Sequence, residues 1–344
     1  MKIDLIVGAR PNFVKAAAIL HAAVDFPKIK FNLVHTGQHH DNMSDPYFKD
    51  LDLPAPESLP TTITTGYEPD ALDRLTQMIR KLNSRFKIVC PDAVMVVGDT
   101  DSTLAGALAA AKMSIPVIHV EAGLRTYDGI QEDVNRILVD SIAKKHYTTS
   151  DFADNNLAAE GKKGIQVGNV MVDTLERLLP FARRRFYRPG RYAVVTLHRA
   201  ENVDDSFRCN AIISAINNIG MLLPVVWPIH PRMKKYECRI AKFINTVPPM
   251  GYLEFISTLA GAEFVITDSG GVQEETTALG VRCYTVRERT ERPETVWRGS
   301  NTLVPYPGLL YNAVQSAVQQ FPPSPYKPGS AAQRIMEDLC ETSF

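Results

Sequence analysis

The sequence predicts an α/β protein made of two Rossmann-like, doubly wound domains that face a central cleft. Short apolar runs of β type alternate with helical stretches along the whole chain. The alternation forms two series, separated by a helical segment and a basic, proline-containing stretch. Polar clusters recur just after the apolar runs, where doubly wound sheets hold their ligands. With 344 residues, 45% of them hydrophobic, the chain can fill two cores of roughly 150 residues each.

In the first series the strands are expected over residues 3–7, 32–35, 93–97, 117–120 and 147–149, with helices over 13–24 and 103–112 between them. This defines an N-terminal domain, residues 1–171. Residues 172–182 are helical in pattern, and the following RRRFYRPGR reads as a crossover whose arginines form a solvated face. The second series, at 192–197, 225–229, 264–267, 283–286 and 302–304, belongs to a C-terminal domain, residues 172–330. FPPSPYKPGS is too rich in Pro, Gly and Ser for regular structure. Helical pattern resumes at 331–341, and this terminal segment, 331–344, is expected to pack back on the first domain.

Lys plus Arg equals Asp plus Glu at 38 each, so no global field favours nucleic acid or an anionic membrane. Cys90, Cys209, Cys238, Cys283 and Cys340 are odd in number, widely spaced and without a Cys-x-x-Cys pair. That argues against a disulfide framework or a zinc site and makes the cytosol the expected compartment. The opening MKIDLIVGARP is too short an apolar run for a signal peptide or a membrane span. Walker A, Gly-x-Gly-x-x-Gly and His-Glu-x-x-His patterns are absent from the sequence, which removes support for an NTPase, a nicotinamide enzyme or a zinc hydrolase. No metal and no cofactor are expected.

The chemistry gathers after the strands. TDSGGVQEE, residues 267–275, places Ser269, Gly270 and Gly271 at a strand-to-helix turn, where free N–H groups and the helix dipole can hold a phosphate. Such a sequence is also ordinary turn chemistry. Glu275, about one helical turn further, could accept two hydrogen bonds from a ribose diol. Arg10 follows the first strand and could clamp a phosphate, with Lys15 a turn later. Asp99 follows the strand at 93–97. Glu121, flanked by Val120 and Ala122 at an apolar strand end, requires either neutralisation by Arg125 or a substrate group that needs its charge; the second is the preferred reading. Glu132 and Asp133 open the next helix, where for Asp133 capping suffices. His198 and His230 end two successive strands of the second domain and could donate to a leaving oxygen. The run 287–294 adds charges at the same mouth, some of them solvated spectators.

These residues lie in GARPNFVK, HTGQH, VGDTDSTLAGALAA, HVEAGLRT, VGNVMVD, LHRAEN, PIHPR, TDSGGVQEE and RTERPE. In that order they resemble the non-hydrolysing UDP-N-acetylglucosamine 2-epimerases over nearly the whole chain. The resemblance implies the two-domain GT-B fold and a homodimer, with a UDP-sugar as substrate. It further implies that Arg10, His198, Ser269, Gly270, Gly271 and Glu275 hold UDP, with Arg292 near its diphosphate. Asp99, Glu121 and Glu132 would be the acid/base carboxylates, His198 would assist departure of UDP, and Lys15, Arg125 and His230 would contact or support the substrate. Mutual crowding of the carboxylates would raise the affinity of one of them for a proton. Where the family has Pro-Glu-Glu-x-Asn-Arg, this chain has Gln131, Glu132, Asp133, Val134, Asn135 and Arg136 after a shortened loop. Some bacterial members bind a second substrate molecule as an activator, through a Gln-His pair, a further Gln, a loop Arg and a His. Gln38, His39 and His230 match that set. Asp41 replaces the second Gln, and the loop 61–67 contains no Arg.

Overall fold

A computed structural model of the protein describes residues 1–37, 44–59, 70–316, 321–322, 324–326, 330–342 and 344. Gln38, His39, Asp41 and the loop 61–67 lie outside the described residues. The chain divides into two compact units, Met1–Thr174 with Tyr326–Phe344, and Leu175–Pro325.

In the first unit seven strands, β1 (Lys2–Val7), β2 (Lys30–His35), β3 (Glu57–Ser58), β4 (Ala93–Val97), β5 (Val117–Val120), β6 (Lys145–Thr148) and β7 (Ile165–Gln166), form one sheet in the order β3-β2-β1-β4-β5-β6-β7. All its pairings are parallel. A parallel sheet is covered by helices on both faces, so its central strands can be apolar throughout. β4, AVMVV, is buried at every position. The helix Asp101–Lys112 (DSTLAGALAAAK) lies close on β1 and β4 because its residues are small. A Cβ at Gly106 would stand 3.0 Å from Val96 and 3.1 Å from Ile6. The core here joins Ile6, Val94 and Val96 with Leu82, Phe86 and Leu104.

The second unit holds β8 (Ala193–Thr196), β9 (Val225–Pro228), β10 (Asn245–Val247), β11 (Phe264–Thr267), β12 (Arg282–Thr285) and β13 (Asn301–Leu303), in the order β10-β9-β8-β11-β12-β13. It too is parallel throughout. Trp227, Ile266 and Tyr284 pack with Ile212 and Ile216 on one face, and Val194 and Val265 pack with Leu259 and Val272 on the other.

In each sheet the chain winds outward to one edge, then crosses the starting strand and winds to the other. The reversal falls between β1 and β4 in the first sheet and between β8 and β11 in the second. Such switch points leave a crevice at the C-terminal strand ends, because the connections on either side run away from each other.

Two features depart from the sequence expectation. β3, β7 and β10 are edge strands of two or three residues, too short to produce an apolar run. The helix read as ending at 182 spans Val170–Arg185, with Pro180 inside it and Arg183, Arg184 and Arg185 in its last turn. Arginine is a good helix former and its charge suits the negative end of the helix dipole. The helix Ala331–Cys340 packs on the helix Arg10–Ala23. Its start is fixed by Asp173, which accepts from Ala332 N at 2.7 Å, and by Ser330, which caps Gln333 N at 3.1 Å.

Candidate active site

In the first unit the register pairs Ile6 with Val96 and Val97 with Val120, so the turns after β1, β4 and β5 stand side by side. Asn12 ties two of them together. Its Oδ1 accepts from Gly8 N at 3.2 Å and Ala9 N at 3.1 Å, and its Nδ2 donates to Val97 O at 3.0 Å. A side chain at Gly8 would collide with the Ser102 and Thr36 hydroxyls, so only glycine allows this approach.

Glu121 sits just beyond β5 at φ 70°, a left-handed conformation that costs about 1–3 kcal/mol for a residue with a Cβ. The turn is held because Glu121 N and Ala122 N both donate to Tyr147 O at 3.0 Å. The Glu121 carboxylate is buried with Lys15 as its ion-pair partner. Asp99 follows Gly98, itself at φ 70°, and pairs with the buried guanidinium of Arg136. Asn135 Nδ2 donates to the Asp99 carbonyl at 2.9 Å. Arg10, the first residue of its helix, lies 4.9 Å over the Tyr47 ring. Glu132 is half-buried in the first turn of the helix Gln131–Ile142.

Two expectations about this half are revised. Arg125 neither neutralises Glu121 nor is available to a substrate, because its buried guanidinium is committed to Asp140 at 2.7 Å and to Glu160 at 2.8 Å and 2.9 Å. Burial alone would lower its proton affinity, but those two carboxylates raise it. Glu121 pairs with Lys15, and Asp99 pairs with Arg136, whose guanidinium also lies 3.5 Å from Asp133. Asp133 is structural, though it does not cap its helix: it accepts from Thr126 N at 2.9 Å and Tyr127 N at 3.0 Å and fixes the preceding loop.

In the second unit the register aligns Thr196, Thr267 and Thr285 across β8, β11 and β12. His198 and Asp268 meet at the switch point. Asp268, fully buried, takes His198 Nδ1 at 2.9 Å and also accepts from Arg199 N at 3.0 Å and Asn202 Nδ2 at 3.2 Å. Burial would raise its pKa, yet His198 and these N–H donors hold it below the usual carboxylate range. Asp268 had no assigned role in the sequence reading. The available signal was an acid directly before the Ser-Gly-Gly turn, one strand from a histidine.

Ser269 is the N-cap of the helix Gly270–Leu279, and no side chain caps that helix start. Its first N–H groups are the kind that bind anions. A Cβ at Gly270 would run into Glu291 and stand 2.6 Å from Arg292 Nη1. Gly271 is the next residue of the same turn. Glu275 is buried inside the helix and accepts from Tyr252 OH at 3.1 Å. Burial, reinforced by neighbouring Glu274 and only partly offset by Tyr252, pushes it up to about 8.

The charged run after β12 divides cleanly. Glu288 and Arg289 are exposed, whereas Arg287, Glu291 and Arg292 are buried. Glu291 joins the two arginines at 2.7 Å and 2.6 Å, and Arg292 also reaches Glu274 at 2.8 Å. His230 lies with its ring 5.8 Å from that of His198 and accepts from Arg232 N through Nδ1 at 3.3 Å. Among the described residues no group of three or more His, Cys, Asp or Glu could hold a metal ion. No helix among them is long and apolar enough to cross a membrane.

The fold is that of two-domain GT-B enzymes. A family model described as UDP-N-acetylglucosamine 2-epimerase matches residues 22–340. The chain is 39% identical over 328 residues to a UDP-N-acetylglucosamine 2-epimerase of Methanocaldococcus jannaschii, covering 88% of each. It is 40% identical over 319 residues, again 88% of each, to a UDP-2,3-diacetamido-2,3-dideoxy-D-glucuronate 2-epimerase of Pseudomonas aeruginosa. The crystal structure of the M. jannaschii UDP-GlcNAc 2-epimerase in complex with UDP-GlcNAc and UDP matches with a TM-score of 0.91 at 36% identity, over 99% of this chain and 100% of that one. MurG of Acinetobacter baumannii, at 14% identity and a TM-score of 0.53, shares the fold alone. The chain belongs to the UDP-N-acetylglucosamine 2-epimerase family.

Proposed function

We propose that this chain is a non-hydrolysing epimerase that inverts C2 of a UDP-linked 2-acetamido sugar, interconverting UDP-N-acetylglucosamine and UDP-N-acetylmannosamine or close derivatives. The observation that carries the reading is the pair Asp99 and Glu121, on adjacent turns after β4 and β5, each paired with a buried cation. A glycosyltransferase of this fold would use a similar nucleotide site and would need an acceptor, and the set of carboxylates argues against it.

The C2 proton of an intact sugar is far too weakly acidic for a carboxylate to remove. UDP therefore leaves first: the C1–O bond breaks, its electron pair stays with UDP, and the developing charge is met by Arg10, His198 and the N–H groups after Ser269. His198 Nδ1 is engaged by Asp268, which leaves Nε2 to donate to the departing oxygen. The oxocarbenium-like sugar has an acidic C2–H, and one carboxylate takes it to give a C1=C2 glycal. A proton is then returned to C2 on the opposite face, UDP adds back at C1, and no water is consumed. Glu132 belongs to the same carboxylate set, Lys15 steadies Glu121, and Gly270, Gly271, Glu275 and Arg292 shape the nucleotide site. His230 stands beside His198. The enzyme works in the cytosol as a homodimer and supplies a sugar donor for polysaccharide synthesis. Five cysteines without a disulfide suit that compartment.

The test is incubation with a panel of UDP-sugars in D2O, followed by NMR. The panel includes UDP-N-acetylglucosamine and a UDP-2,3-diacetamido uronate, because one relative is named for the latter. Product that keeps UDP and carries deuterium at C2 is expected. Epimerised product retaining all of its original C2 hydrogen would exclude elimination and readdition, and free N-acetylmannosamine would point to hydrolysis. Asp99→Asn and Glu121→Gln should lose turnover yet bind UDP, whereas Arg10→Ala should bind it more weakly.

A further inference from the structure

One buried pair outside the proposed catalytic set touches every element that carries a carboxylate of that set. His119, inside β5, and Asp140, near the end of the helix Gln131–Ile142, are both essentially inaccessible to solvent. His119 Nε2 lies 2.8 Å from Gly98 O and Nδ1 lies 2.6 Å from Asp140 Oδ1. A carbonyl oxygen can only accept, and so can an ionised carboxylate. The doubly protonated ring alone satisfies both contacts. Although burial would raise Asp140, His119 and Arg125 hold it down at about 2. Its other oxygen accepts from Gly123 N at 3.0 Å and pairs with Arg125 at 2.7 Å.

Gly98 is the residue before Asp99, Gly123 lies two residues after Glu121, and Asp140 sits on the helix that carries Glu132, Asn135 and Arg136. Gly98, Glu121 and Gly123 are all at positive φ. Glycine adopts this conformation freely, but Glu121 keeps it only where the surrounding structure holds its backbone. Resting on the epimerase reading, we infer that His119 and Asp140 are positioning residues, a brace that fixes the turns of Asp99 and Glu121 and the helix of Glu132 relative to one another. The brace lies wholly within the first unit and touches none of the residues assigned to UDP. Loosening it should therefore disturb proton transfer at C2 and leave nucleotide binding in place.

Two conservative substitutions separate the brace from a general contribution to folding. In His119→Gln the amide nitrogen reaches toward the place of Nε2 and can still donate to Gly98 O. In His119→Asn it lies near the place of Nδ1, keeps the Asp140 contact and releases Gly98. Turnover of the UDP-sugar, KM, UDP affinity by calorimetry and melting temperature are measured for wild type and both variants. We expect kcat to fall about 10²-fold in His119→Asn, the scale of loss from an ångström-sized misplacement of a reacting group. The loss in His119→Gln should be clearly smaller. KM and UDP affinity should stay within about threefold of wild type, a small change on the logarithmic scale of affinity. A kcat near wild type in His119→Asn, losses shared by KM and UDP affinity, or losses that follow melting temperature rather than the Asn/Gln order would overturn the proposal. Failure of both variants to fold would also overturn it, by making the pair a requirement of the fold. Absence of turnover in the wild type would instead remove the epimerase reading.

Discussion

Glu275 is buried inside its helix with one hydrogen bond, from Tyr252, and that burial pushes its carboxyl up to about 8 from an ordinary 4.5. Between these values the folded chain holds a proton that the unfolded chain has released. The resulting stability is complete below about pH 4.5 and is lost as pH rises through about 8. Glu275→Gln removes this titration, so melting temperature measured from pH 5 to 8.5 should fall less steeply in the variant, by the equivalent of a few kcal/mol over the range. Parallel curves would show that the group ionises in the folded protein as it does in water. Asp268 makes a second prediction, since its carboxylate receives His198 Nδ1 and the N–H groups of residues 198 and 199. Asp268→Asn should lower kcat about 10²-fold, the usual share of a positioned general acid, and lower stability by about 1–3 kcal/mol. Turnover at the wild-type rate would remove His198 as the proton donor. At this scale the sequence showed which residues end strands, but not who pairs with whom. Arg125, four residues from Glu121, is the obvious partner along the chain. The left-handed turn at 121–123 sends it instead to Asp140 and Glu160, and Lys15 comes in from a helix more than a hundred residues earlier.

The same divide between position and contact holds for whole elements. The central strands were legible because a strand covered on both faces must be apolar throughout, as β4 is. Edge strands of two or three residues have no such requirement, and β3, β7 and β10 gave no signal. The turn after β11 was legible as a possible anion site from Ser-Gly-Gly alone. What could not be read was the reason for its first glycine. Gly270 has φ in the helical range, and its need is for space, against Glu291 and Arg292. Gly270→Ala should force those two side chains to shift and crowd the helix start. UDP affinity, measured by calorimetry, should drop about tenfold or more, equivalent to at least ~1.4 kcal/mol. Unchanged affinity would mean that the nucleotide does not approach this helix terminus.

For the molecule as a whole, the two strand series revealed two parallel sheets, because alternation of β and α patterns survives even where individual boundaries blur. The helix Ala331–Cys340 was legible as a helix, and its attachment through Asp173 to the first unit depends on contacts between residues far apart in sequence. Regulation belongs to this scale too, since a bound activator changes the kinetic behaviour of the entire enzyme. The resemblance supplies Gln38, His39 and His230 toward a second substrate site, and the ring of His230 stands 5.8 Å from that of His198. Asp41 replaces an amide of that site, and the loop 61–67 lacks its arginine. A carboxylate in place of that amide would cost Coulomb energy beside a diphosphate instead of contributing it, and the sequence 61–67 supplies no arginine to offset the cost. Initial rates should therefore rise hyperbolically with UDP-sugar concentration, and the reverse reaction should run from pure product without priming by forward substrate. A sigmoidal rate curve, or a reverse reaction that starts only after forward substrate is added, would show that a second substrate molecule still activates the enzyme through other residues.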